Sequence, residues 1–91
     1  MARFKQIREG GIVFVFKYDE DDPSLLHIYA RHLTTPREAI DTWFDENAED
    51  TWNERYGRFE TRSQTHVVYW VWLQEGERVL IITCFLREEA P

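Results

Sequence analysis

Thr65-His66-Val67-Val68-Tyr69-Trp70-Val71-Trp72-Leu73, then Gln74-Glu75-Gly76-Glu77, then Arg78 to Leu86 is the stretch that decides the fold. Two runs dense in Val, Ile, Tyr and Trp flank a short glycine-containing turn, the pattern of a β-hairpin. In the first run Thr65, Val67, Tyr69, Val71 and Leu73 alternate onto one face, with His66, Val68, Trp70 and Trp72 on the other. In the second, Val79, Ile81, Thr83 and Phe85 oppose Leu80, Ile82, Cys84 and Leu86. Neither face is polar, so both need cover and the pair belongs at the centre of the molecule.

Toward the N-terminus, Arg3 to Ile7 alternates, and Gly10-Gly11 permits the positive φ of a hairpin turn. Ile12 to Tyr18 places Ile12, Phe14, Phe16 and Tyr18 on one face of a strand. After the charged loop Asp19 to Ser24, residues Leu25 to Arg31 fit a strand with Leu26, Ile28 and Ala30 inward. They also fit a helix capped by Ser24, but the preceding strand and loop favour a hairpin. Thr35-Pro36-Arg37-Glu38 carries a capping box with proline at the first helical position. A helix is predicted from Pro36 to Asn47, with Ala39, Ile40, Trp43, Phe44 and Ala48 forming its apolar stripe. Asp50 to Arg55 is a connection, with a last helical turn as the alternative, and Trp52 is expected at the surface. Tyr56 to Arg62 alternates as a half-exposed strand. The expectation is a single α+β domain over residues 1–91. An antiparallel sheet of about five strands packs on one main helix, in the order β-β-α-β-β-β.

The chain has 17 carboxylates against 11 cations, a net charge of -6, which argues against a general nucleic-acid coat while leaving room for a local basic groove. Nine of the cations are arginine, suited to forked contacts with carboxylate or phosphate. One cysteine, Cys84, allows no internal disulfide, and no apolar run reaches the ~18 residues of a membrane span. A cytoplasmic protein without membrane contact is expected. No zinc spacing, phosphate-binding glycine loop or nucleophile elbow is present, so neither metal nor cofactor is called for.

Four groups of residues are candidates for function. His27, Arg31 and His32 stand just before the helix cap, where an anion meets N–H groups, a guanidinium and an imidazole. Arg55, Arg58 and Arg62 lie near Tyr56 and line one side of a groove. They match the needs of metal-free phosphodiester cleavage: an acid or base for the 2′-hydroxyl and arginines for the charged phosphorane. Asp41, Asp45 and Glu49 recur at four-residue spacing as an acidic face, suited to a basic partner. His66, Trp70 and Trp72 share a strand face and are candidates for a partner or homodimer surface through the sheet.

The motif H-x-x-x-R-H-L-T-T-P-R-E-A-I-x-x-W-F-D, followed by E-R-Y-G-R-F-E and a hairpin ending R-V-L-I-I-T-C-F-L-R-E-E, resembles the BrnT toxins of type II toxin–antitoxin systems. That family has a helical K-H-G-hydrophobic-S/T-x-x-E-A-x-x-x-F-D segment, an E-E-R-F strand and a terminal R-I-I-S-A-R strand. The corresponding positions here are Arg31 to Ile40, Glu54-Arg55-Tyr56 and Leu80 to Phe85. The resemblance covers about residues 14 to 89. It implies a RelE-like fold, a metal-independent ribonuclease activity and a cognate antitoxin. On that reading His32 transfers the proton, Arg31 and Tyr56 are the other catalytic candidates, and Arg55, Arg58 and Arg62 contact RNA. Two alternatives stay open. One is a non-enzymatic acidic interaction module of the phage or mobile-element inhibitor kind; the other is a chain that mainly self-associates.

Overall fold

The computed structural model describes residues 3–89. It is α+β: strands β1 (Phe4–Glu9) and β2 (Ile12–Lys17), helices α1 (His27–His32) and α2 (Pro36–Phe44), then strands β3 (Glu49–Asn53), β4 (Arg58–Arg62), β5 (His66–Gln74) and β6 (Arg78–Leu86). The six strands form one sheet in the order β1-β2-β6-β5-β4-β3. All neighbours are antiparallel except β2 and β6, where Val13 to Phe16 run parallel to Arg78 to Ile81. The sheet is therefore mixed, with six strands rather than about five, and carries two helices rather than one. Parallel neighbours need a long crossover, supplied here by both helices and the β3–β5 meander.

The predicted central hairpin is β5 and β6, in the middle of the sheet. Two of its details differ from simple alternation, the first being Leu73, an extra residue of β5 between the Trp72–Val79 and Gln74–Arg78 pairs. In the second, Tyr69 pairs with Thr83 and Trp70 with Ile81, which leaves Ile82 as an extra residue in β6. This bulge reverses the sidedness of everything after it. Val79 and Ile81 enter the helix-side core, and beyond the bulge Cys84 joins them there. Thr83 and Phe85 turn to the opposite face, beside Tyr69. Trp43 of α2 anchors the helix side, edge-on to Phe14, Trp70 and Trp72.

Residues 25–31 are not an extended strand; their greater part, from His27, is helical. Asp19, almost fully buried, accepts hydrogen bonds from the backbone N–H groups of Asp21 and Asp22 at 3.0 and 3.1 Å, closing the loop that a hairpin would have left open. The same carboxylate meets His27 at 3.3 Å and Arg31 at 3.1 Å, four residues apart and so on one side of a helix. Only the Tyr18–Leu26 bridge remains of the expected pairing. Beyond Ile81, β6 has no β2 partner, and α1 flanks that edge; the Thr34 hydroxyl donates to the Cys84 carbonyl at 2.7 Å. Helix α1 ends on Leu33, whose φ of 57° is left-handed. This conformation costs a residue with a Cβ about 1–2 kcal/mol relative to a regular backbone. Leu33 is exposed, so Leu33→Gly is expected to raise stability by about 0.5–1 kcal/mol in urea unfolding.

The capping box of α2 is present in both directions, Thr35 accepting from Glu38 N–H while the Glu38 carboxylate accepts from Thr35 N–H. The helix stops at Phe44, short of Asn47, because Asp45 turns extended and accepts from the N–H of Asn47 at 2.8 Å. The segment after it, read as a connection, is the edge strand β3. It carries one large apolar side chain, Trp52, packed edge-on to Phe59 and half exposed as expected. No helix among the described residues is long and apolar enough to cross a membrane.

Candidate functional site

Helix α2 lies on one face of the sheet, and α1 flanks the β6 edge with Ile28 turned into the same core. The strand residues pointing the other way follow from the registers. They are Phe4, Gln6 and Arg8 of β1; Val13, Val15 and Lys17 of β2; Arg78, Leu80, Thr83 and Phe85 of β6; Val67, Tyr69, Val71 and Gln74 of β5; Arg58, Glu60 and Arg62 of β4; and Glu49, Thr51 and Asn53 of β3. In a chain with more acids than bases, the strands give this open face five cations and two carboxylates. Three further acids border it from turns: Glu20 pairs with Lys17 at 3.2 Å, Glu77 lines a hollow beside Arg8 and Arg78, and Glu89 faces His32.

Arg58 is its best-built element. Its guanidinium carbon lies 3.7 Å from the Tyr69 ring centroid and 4.6 Å from that of Tyr56, a cation held between two aromatic faces. Glu60 accepts from Arg58 at 3.3 Å and from Asn53 at 2.9 Å, and lies 3.9 Å from Arg62. Arg58 and Arg62 thus share one carboxylate, and Arg55, exposed over the Tyr56 ring at 5.5 Å, has no carboxylate partner among the described residues. From Tyr69 the aromatic path continues edge-on to Phe85 at 5.2 Å and then to the His32 ring at 5.5 Å. His32 Nδ1 lies 3.2 Å from the Glu89 carboxylate. In the neutral tautomer whose Nδ1–H donates to Glu89, Nε2 is the acceptor. Close by, the buried Thr83 hydroxyl has no hydrogen-bond partner among the described residues.

The structure thus clusters Tyr56, Arg55, Arg58 and Arg62, and places His32 at the far margin of the same face, two aromatic rings away past Tyr69 and Phe85. Arg31 does not join them. Its Nε and Nη2 donate to Asp19 at 3.1 Å and Asp21 at 2.7 Å, so it is a structural tie of the loop to α1. Burial pushes the Asp19 carboxyl up, but the N–H groups of Asp22 and Asp21 and the Arg31 guanidinium outweigh it and hold the group below its ordinary value. Tyr69 and Phe85 belong to this site although their apolar runs read as scaffold. The alternation of Arg58, Glu60 and Arg62 was their signal: a polar face on β4 continues onto its neighbour β5.

The acidic face does not form. Asp41 pairs with Arg37 at 2.9 Å, and Arg37 also binds Glu9; Asp45 is the C-cap of α2, and Glu49 lies on the edge strand. The expected sheet surface is not free either. Trp70 is buried, and Trp72 packs against the core under Trp43. His66 lies 2.6 Å from Glu38 of the capping box. All three are on the helix side of the sheet, Trp70 buried and His66 and Trp72 half-buried. For Glu38, burial pushes the carboxyl up, while His66 and the Thr35 hydroxyl and N–H pull it below its ordinary 4.5. A carboxylate with a depressed folded value stabilises above its unfolded value, and that contribution disappears as the pH falls through the folded one. Stability should therefore fall as the pH drops through and below about 4.5, and less steeply in Glu38→Gln, as urea titrations at stepped pH would show.

Burial raises the Cys84 thiol to about 12, so it is a core residue and not a nucleophile. No family model matches the chain, and no curated protein or solved structure does so.

Proposed function

We propose that the chain is a small RelE/BrnT-like toxin that cleaves single-stranded RNA, without metal, on the open face of its sheet. The carrying observation is the clustering of cations: on the strands of one face, five of seven charged side chains are Arg or Lys in a chain of net charge -6. Phosphate affinity rests on such cations, and exposed Tyr56 beside Arg58 offers a stacking surface for a base. Two further features agree with the resemblance. The segment that is helical in that family is helix α1 here, and Leu33 adopts the left-handed conformation at the position where the family has glycine.

In this mechanism His32 Nε2 takes the proton from a ribose 2′-hydroxyl, whose oxygen attacks the adjacent phosphorus. The bond to the 5′-oxygen breaks, Tyr56 protonates that leaving oxygen, and the products are a 2′,3′-cyclic phosphate and a 5′-hydroxyl end. His32 then releases its proton to solvent and Tyr56 takes one from it, which restores both groups. Arg58, with Arg55 beside it, stabilises the phosphorane charge. An antitoxin that neutralised the chain would have to cover this face. Induced expression in a bacterial host tests the proposal: growth arrest with RNA fragmentation, relieved by His32→Ala, is expected. Normal growth with intact RNA would remove it.

A further inference from the structure

The open face has a second cationic corner, away from Arg58. At the junction of β1, β2 and β6 a cavity of about 450 Å³ is lined by Gln6, Arg8, Gln74, Glu77 and Arg78 among others. The registers bring these residues together: Arg8 pairs with Val13, Val13 with Arg78, and Arg78 with Gln74. Four side chains of this lining present N–H donors. Arg78 donates to the Gln6 carbonyl oxygen at 3.1 Å, which orients the Gln6 amide group. Neither Arg8 nor Arg78 has a carboxylate within ion-pair distance among the described residues, although other arginines of the chain do. Glu77 stands on the rim and pairs with neither, while its backbone carbonyl accepts from Val13 N–H at 2.8 Å. In an acidic chain, two arginines in one polar hollow, neither ion-paired with the Glu77 that shares its lining, form a site for an oxyanion.

We propose that this corner binds a backbone phosphate of the single-stranded RNA whose cleaved phosphate lies at Arg58. The proposal deepens the ribonuclease reading and rests on it only for what carries the anion. Val71 and Leu80, paired across β5 and β6, form an apolar floor between the two corners. Arg78 and Arg58 are two strands and two residues apart, roughly 12 Å by the spacing and rise of a sheet. A few nucleotides of extended strand span that distance, with bases over the apolar floor and phosphates at the arginines.

Two measurements separate this inference from the activity. In the first, inorganic phosphate is titrated into the ¹⁵N-labelled protein while the arginine Nε–H signals are followed. The Arg8 and Arg78 signals should move in the natural chain and equally in Arg58→Gln; signals that stay in place overturn the site. In the second, a fluorescein-labelled single-stranded RNA is bound at several salt concentrations. The Arg8→Gln/Arg78→Gln variant should bind roughly tenfold more weakly. Its dependence of log K on log salt should be shallower by about 0.7, the share of one phosphate that the protein no longer neutralises. Glu77→Gln should bind more tightly, an outcome that damage to the fold would not produce. Unchanged affinity and slope in the double variant overturn the proposal even if RNA is cleaved. RNA bound through these arginines and never cleaved leaves the site standing and removes the ribonuclease.

Discussion

Trp70→Ala is expected to cost about 3–5 kcal/mol, the range for emptying a large buried aromatic site. Trp70 is 4% exposed and stacks on Phe59 at 4.5 Å with 19° between the rings. It also meets Trp43 and Trp72 edge-on, and its Nε1 donates to the Thr61 hydroxyl at 2.8 Å. Thr61 in turn donates to Asp50, so one indole ties β5 to β4 and β3. Domains of this size have about 5–15 kcal/mol in hand, and one substitution of this kind removes a large part of it. Trp52→Ala, at a half-exposed edge position, should cost about 1 kcal/mol or less. Urea unfolding of both variants checks the contrast. A Trp70→Ala chain of nearly natural stability would mean that the ring is a surface element after all.

Arg58→Ala is expected to lower RNA cleavage by about 10²–10³-fold, the loss that follows removal of one donor to a developing oxyanion. The change in stability should stay within about 1 kcal/mol, because Arg58 lies on the open face against two tyrosines and not in the core. Arg31→Ala should show the reverse pattern: cleavage chemistry unaltered and a less stable α1, since its partners are Asp19 and Asp21. Rates measured with purified protein on one RNA oligonucleotide, alongside thermal melts, separate the two. Equal losses of activity would return Arg31 to the site.

The elements legible in the sequence are those with dense local signals. The hairpin of β5 and β6 announces itself by nine-residue apolar runs, and α2 by its capping box. Helix α1 does not, because six residues with one fully buried side chain, Ile28, satisfy either period, and the deciding contact comes from Asp19. Strand β3 buries so little that it has no pattern at all. The parallel pairing of β2 with β6 joins segments more than sixty residues apart, which alternation cannot see. For the site, the alternation of β4 correctly puts Arg58 and Arg62 on one face. The link from there to His32 depends on the Ile82 bulge, which turns Phe85 outward, and a bulge leaves no mark in an apolar run. Arg31 reads as a site residue for a related reason: its true partners lie 10 and 12 residues away, across a loop.

The open face as a ribonuclease site is tested most directly by incubating the purified chain with a single-stranded RNA in excess EDTA and identifying the new ends. The expected result is discrete cleavage leaving 2′,3′-cyclic phosphate and 5′-hydroxyl ends, lost in His32→Ala and reduced in Arg58→Ala. RNA that remains intact with stoichiometric folded protein, or cleavage that both variants retain in full, would contradict it.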